Sequence, residues 1–216
     1  MPITPEQLAH LFLEGKEDEA FDAVKAYQET YSEIEMLEEF ITPAMYEVGF
    51  LWEANKISVA DEHLATGVCD FVLTAAVKPR AKTNSSGKTI VLFGAENEEH
   101  YLGLKMVAAV FRANGWQVYN MGPNMPIADA IAGVKRWEPD VVGVSTGFAR
   151  NEERTERYLN RLMAASPKTE IILGGRYSRL HRKFEQDSRQ VTVIDRLENV
   201  NSWLRQDEKG VRHATS

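Results

Sequence analysis

The sequence predicts an α/β protein in two parts, an N-terminal four-helix bundle over residues 1–81 and a parallel five-stranded sheet with intervening helices over 88–206. Three features carry that prediction: closely spaced helix-start signals in the first 81 residues, a stretch without any apolar residue at Lys82-Thr83-Asn84-Ser85-Ser86-Gly87, and an alternation of short apolar strands with helical stretches from Lys88 onward. A length of 216 residues suits two cores of roughly 100 residues each.

Thr4-Pro5-Glu6-Gln7 reads as a capping box opening a helix to about Glu14, and Gly15 breaks it. Glu17 to Gln28 carries Ala20, Phe21, Val24 and Tyr27 on one face. Ser32-Glu33-Ile34-Glu35 opens a third helix, whose apolar positions Ile34, Leu37, Phe40, Ile41, Met45, Val48 and Leu51 continue through Pro43, where a bend is expected. After a connector at 53–57, Ser58 caps a fourth helix running to about Ala81. Short connections between four helices imply an antiparallel bundle.

Five strands are expected at Thr89–Phe93, Gln117–Met121, Val141–Ser145, Ile171–Leu173 and Val191–Ile194, each followed by room for a helix. Right-handed crossovers then give a flavodoxin-like, doubly wound parallel sheet. Such sheets bind ligands at the carboxyl ends of their strands, which directs attention to the loops after Phe93, Ser145 and Leu173. Residues 207–216 read as a polar tail.

The formal net charge of −7 opposes general binding to a phosphate backbone, and the basic cluster Arg176, Arg179, His181, Arg182 and Lys183 reads as a solvated surface; no direct nucleic-acid contact is expected. The single cysteine, Cys69, cannot form an intramolecular disulfide and sits in an apolar helical pattern, consistent with a reducing cytoplasm. The N-terminus lacks the pattern of a secretory signal, and no apolar run approaches a membrane span, so a soluble cytoplasmic protein without membrane contact is expected. His10, His63, His100, His181 and His213 are too scattered for an all-protein metal centre. No G-x-G-x-x-G or Walker pattern follows the first strand, and no nucleophile–base pair or carboxylate dyad marks an enzyme.

The first of the three loops holds Glu98-x-His100-x-x-Gly103. A histidine there can present one ring nitrogen to a metal while the carboxylate two residues earlier accepts a hydrogen bond from the other, fixing the tautomer. Taken alone, His100 reads as a residue near a helix start, which a lone histidine with an acidic neighbour more often is than a ligand. Ser145-Thr146-Gly147 ends the third strand and Gly174-Gly175 the fourth, both placing small residues where bulky ones would fill the crevice.

Together these residues resemble the cobalamin-binding domain family, whose first-strand loop carries D-x-H-x-x-G, followed by a serine motif and a double glycine. Glu98 stands in place of the usual aspartate. The resemblance implies a cobalamin bound with its nucleotide tail displaced into a slot beside Gly103, Ser145 and Gly174, with His100 as the metal ligand beneath cobalt. Upstream, Ile41 to Trp52 is similar to the helical cap of corrinoid proteins. Trp52 is followed by nine residues and then Glu62-His63, a spacing similar to the signature of CarH-type cobalamin photoreceptors. That resemblance implies adenosylcobalamin as cofactor, with Trp52 walling its upper ligand and Glu62 and His63 reaching the ribose or base. On residue pattern alone, Trp52 reads as well as a bundle core residue.

In that family light breaks the cobalt–carbon bond and rearranges the cap. Glu53 stands where the DNA-binding photoreceptors have the histidine that takes the cobalt after photolysis, and the chain opens almost at the cap. The expected output therefore passes through a homo-oligomer change or a downstream effector protein. The arrangement is also similar to photocobilins, which add a linear tetrapyrrole such as biliverdin; Arg176, Tyr177, Arg179 and His181 are candidate flanking residues. Two rival functions share both domains: a corrinoid carrier for methyl transfer and a light-independent cobalamin sensor.

Overall fold

A computed structural model describes residues 3–77, 86–146, 152–175, 178, 182–183, 185 and 188–208. The chain divides into two compact units, Met1–Pro79 and Arg80–Ser216.

In the first unit the helices are α1 (Pro5–Leu13), α2 (Glu17–Gln28), α3 (Glu33–Glu35) running without a break through a π-helical segment (Met36–Ile41) into α4 (Thr42–Glu53), and α5 (Val59–Ala76). Three starts carry complete capping boxes, Thr4 with Gln7, Ser32 with Glu35 and Ser58 with Asp61, each satisfying two backbone donors. Gly15, at φ +70°, ends α1 in the left-handed conformation and lets Lys16 N–H return to Leu11 O at 3.0 Å. Asn55 does the same after α4 at φ 54°. Packing of α1 on α4 and α5, and of α2 on α5, buries Leu8, Phe12, Val24, Leu37, Phe40, Val48 and Val72. Each large apolar side chain so buried contributes about 1.5–3 kcal/mol.

The bend expected at Pro43 takes the form of the π-helical segment immediately before it. Proline has no N–H to close the carbonyl four residues back. The turn widens, and Thr42 meets Leu37 O through both its backbone N–H and its hydroxyl, the latter at 2.7 Å. The fourth helix stops at Ala76, short of the expected Ala81, with Val77 already extended at ψ 108°. Continuing to residue 81 would place Pro79 inside the helix, where its ring clashes with the preceding turn. The expected linker 82–87 lies outside the described residues except for Ser86 and Gly87.

Hydrogen bonds from the capping hydroxyls Ser32 and Ser58, and then from the backbone, hold the carboxyls of Glu35 and Asp61 below their ordinary range. A depressed folded-state pKa means the folded form binds fewer protons, so the stabilisation is present above the unfolded pKa and lost as pH falls through the folded one. The thermal midpoint of the helical unit is expected to fall on acidification through the carboxylate range. Ser58→Ala should cost about 1 kcal/mol at neutral pH and flatten that dependence, as followed by circular dichroism.

The second unit contains β1 (Thr89–Gly94), α6 (Leu102–Ala113), β2 (Gln117–Asn120), α7 (Ile127–Trp137), β3 (Val141–Ser145), α8 (Glu152–Ala165), β4 (Glu170–Gly174), β5 (Val191–Val193) and α9 (Leu197–Glu208). All strand pairs are parallel in the order β2-β1-β3-β4-β5, the flavodoxin-like arrangement expected. Strand ends differ from expectation by one residue: β1 extends to Gly94, β2 stops at Asn120, β5 at Val193, and β4 extends to Glu170 and Gly174. Helix α9 reaches Glu208, two residues into the stretch expected as a polar tail, and 209–216 lie outside the described residues.

Alternation assigns side chains to faces. Val91, Phe93, Val142, Val144, Ile171 and Leu173 share one buried cluster with Ala130 and Val134 of α7 and Leu159 and Leu162 of α8. The residues between them, Ile90, Leu92 and Gly94 of β1, Gly143 and Ser145 of β3, and Ile172 and Gly174 of β4, face the other side. There α6 packs on β1 and α9, around the aromatic group Phe111, Trp116 and Trp203. With both faces covered, the strands read as near-continuous apolar runs.

Candidate functional site

The loop leaving β1 is built around two residues in the sequence motif. Glu98 is 1% exposed and His100 is 89% exposed at the side chain, so an outward imidazole stands on a buried carboxylate. Glu98 Oε1 lies 2.7 Å from His100 Nδ1 and also accepts the His100 backbone N–H at 2.8 Å. A carboxylate in this contact accepts, so Nδ1 carries the proton, and in the neutral imidazole Nε2 carries the lone pair. Glu98 Oε2 is buried with no partner among the described residues. His100 does not cap the following helix; Tyr101 is the N-cap of α6, without a side-chain cap bond.

Strand register aligns the other small residues. Gly94, Ser145 and Gly174 pair across β1, β3 and β4 as one row at the carboxyl ends of the strands, on the face covered by α6 and α9. Gly103, near the start of α6, has nothing within 4 Å of where a Cβ would sit. Thr146 N–H donates to Gly174 O at 2.9 Å. Gly175 follows at φ +120°, where an added Cβ would lie 2.3 Å from Thr146 O. Gly147 and the candidate bilin residues Arg176, Tyr177, Arg179 and His181 lie outside the described residues. Of the remaining basic cluster, Arg182 pairs with Asp195 at 3.3 Å and Lys183 with Glu156 at 3.4 Å.

Trp52, Glu62 and His63 belong to the helical unit. Trp52 is 46% exposed in the last turn of α4, which excludes a core role, and Tyr46, Phe50, Val59 and Leu64 are comparably exposed. Glu62 Oε1 accepts from Thr66 Oγ1 at 2.9 Å, and Glu62 Oε2 lies 3.6 Å from His63 Nε2. His63 is largely exposed.

Several contributors were not apparent in the sequence. Gly94 ends β1, and a Cβ there would sit 3.1 Å from Glu98 O and 3.2 Å from Glu98 Cγ, so the buried carboxylate needs a glycine beneath it. Asn97 and Asn124 take positive φ, 70° and 53°, and hydrogen-bond to one another. The Gly122-Pro123-Asn124 turn at the end of β2 is the local signal that points to the second of these. On the α8 side, Tyr158 donates to Met125 O at 2.9 Å. Burial, with a smaller contribution from Glu96, pushes its phenol well above the ordinary range. A cavity of about 160 Å³ lies beside this loop, lined by Glu96, Asn97, Thr146, Arg154, Thr155 and Tyr158. That is below the ~300–1,000 Å³ of small-molecule pockets.

An exposed imidazole oriented by a buried carboxylate, and a row of small residues, both lie at the carboxyl ends of the strands of this α/β unit, where such sheets bind their ligands. The B12 binding domain model matches residues 88–200, just over half of the chain, and a second model of the same description matches residues 5–76. The chain belongs to the B12 binding domain family, and its ligand is a cobalamin. It is 29% identical over 150 residues to the HTH-type transcriptional repressor CarH of Myxococcus xanthus, covering 69% of this chain and 50% of that protein. It is 24% identical over 177 residues to dimethylamine corrinoid protein 1 of Methanosarcina mazei, covering 79% and 81%. The chain thus spans half the length of CarH. It spans 66% of dimethylamine corrinoid protein 2 of Methanosarcina acetivorans. The monomethylamine corrinoid protein of Methanosarcina barkeri shares the fold, with a TM-score of 0.72 at 15% identity over 91% of this chain and 94% of that one. Among the described residues, no helix is long and apolar enough to cross a membrane.

Proposed function

We propose that this chain is a cobalamin-dependent light sensor in which His100 is the lower ligand of cobalt. The observation that carries the ligand assignment is the Glu98–His100 pair: a buried carboxylate orients an exposed imidazole through a 2.7 Å contact. A buried carboxylate with an unpartnered oxygen costs folding free energy. A cation acting through the imidazole offsets that cost, so the donor set fits a metal. Ser145 and Gly174 at the strand ends, with the open position beside Gly103, fit a nucleotide tail on the α6 side. The tetrapyrrole ring is too large for the cavity beside α8 and would rest on the surface formed by the strand ends, near Thr146 and Gly175.

Bound adenosylcobalamin supplies a light-labile cobalt–carbon bond. Trp52 offers an exposed aromatic face to the upper ligand, and Glu62 and His63 offer polar partners. A ligand that these residues contact in one conformation only would bias the protein toward that conformation, and its loss would shift the population away from it. The signal leaves through a change in homo-oligomer or an effector protein, and biliverdin is the second chromophore in the photocobilin form of this reading.

A corrinoid methyl carrier is the second reading, favoured by the match along 79% of this chain to a dimethylamine corrinoid protein. One experiment separates the two. Protein loaded with adenosylcobalamin in the dark, with and without biliverdin, should change both absorption and elution volume on illumination. Trp52→Ala should bind cobalamin and lose the change in elution volume. Binding of methylcobalamin in preference, with no change of assembly under light, would instead establish the carrier reading.

A further inference from the structure

Asn124 lies 24 residues beyond His100, on the loop after β2, and does not belong to the motif around the histidine. Three bonds tie it to the segment preceding His100. Its backbone N–H donates to Glu98 O at 2.8 Å, its Oδ1 accepts the Asn97 N–H at 2.8 Å, and its Nδ2 donates to Glu99 Oε1 at 2.8 Å. Its own φ of 53° is a conformation that asparagine and glycine tolerate and that other residues adopt at a cost.

The adjoining contacts hold both loops on the sheet. Ala95 and Met125 form an isolated parallel bridge, Met125 N–H donates to Gly94 O at 2.8 Å, and Tyr158 of α8 donates to Met125 O. The β2 loop is therefore anchored on the sheet and α8. Among the described residues, Asn124 carries that anchoring to three consecutive residues, Asn97, Glu98 and Glu99, on the strand side of His100. The two Asn97 and Glu98 contacts fix backbone at both sides of the residue whose carboxylate orients the imidazole. A chain free to rotate there would turn Glu98 away from its 2.7 Å contact with Nδ1.

We infer that Asn124 is the positioning residue for the lower ligand: it holds the 97–99 backbone so that Glu98 aims His100 at the metal. The inference rests on the reading of His100 as that ligand. Residues that orient a metal ligand from behind typically carry about 10–100-fold in affinity.

The full chain, grown with 15N-histidine and loaded with cobalamin, tests this directly. After reduction to the cobalt(II) form, a histidine ligand gives doublet nitrogen splitting in the electron paramagnetic resonance spectrum, whereas the cofactor's own 14N base gives triplets. Asn124→Gly keeps the backbone conformation and removes both side-chain bonds. It should weaken cobalamin binding by about 10–100-fold and replace part of the doublet by triplets. Asn124→Asp keeps the acceptor for Asn97 N–H but sets a carboxylate against Glu99, so it is paired with Glu99→Gln, whose amide can donate to it; the double variant should restore most of the doublet. In a His100→Ala background, Asn124→Gly should have no further effect on affinity. Unchanged affinity and a full doublet in Asn124→Gly would overturn the inference, as would an equal loss in the His100→Ala background, the mark of a purely scaffolding role. Absence of the doublet in the unsubstituted protein would remove the His100 reading itself, a result distinct from either.

Discussion

His100→Ala is expected to lower cobalamin affinity by at least about 100-fold, more than loss of a residue that merely orients the ligand. The imidazole is largely exposed, so the substitution leaves the sheet core untouched. Folding should therefore be retained, and circular dichroism of the variant should match the parent. Binding is measured by absorption titration in the dark. Retained affinity with an unaltered cob(II)alamin spectrum would show that the metal is held elsewhere, and the functional reading built on it would fail.

Gly175→Ala is expected to have the largest effect on folding. The residue sits at φ +120°, a region essentially confined to glycine, and an added Cβ would lie 2.3 Å from the backbone oxygen of Thr146. Neither side can yield cheaply, because Ser145 pairs with Gly174 in the sheet and Thr146 N–H donates to Gly174 O. Strain and overpacking together cost about 3 kcal/mol. That lowers the unfolding midpoint by roughly 10 °C. Gly103→Ala supplies the contrast. It meets nothing within 4 Å and should leave the apo fold as stable as the parent or slightly more so, while weakening cobalamin by filling the space left for the nucleotide. Unfolding of Gly175→Ala at the parent midpoint would show that this backbone conformation is not enforced.

Much of this protein was legible in its sequence because the signals are local. The capping boxes at Thr4 and Ser32 formed as read, and the cap at Ser58 proved to be a full box with Asp61, since each needs only residues three apart. The five strands emerged within one residue at their ends, since both faces of a parallel sheet are covered and demand apolar runs. The pair Glu98 and His100 was legible for the same reason, two residues apart on one loop. Misjudged features lay where local pattern and covalent chemistry compete. Periodicity carried the fourth helix too far because Pro79 outweighs it, and it marked the distortion at Pro43 without its π-helical form.

What the sequence by itself determined is the order and type of the elements, the capped helix starts and the chemistry at the end of β1. The tertiary structure alone decided that Gly94, Ser145 and Gly174, drawn from three strands, form one row. It also decided that Asn124 reaches back to Asn97, Glu98 and Glu99. It exposed Trp52, which the pattern left open between core and surface. The physical reason is range: caps and strand propensity act over a few residues, whereas strand register and the meeting of two loops depend on pairing between segments tens of residues apart.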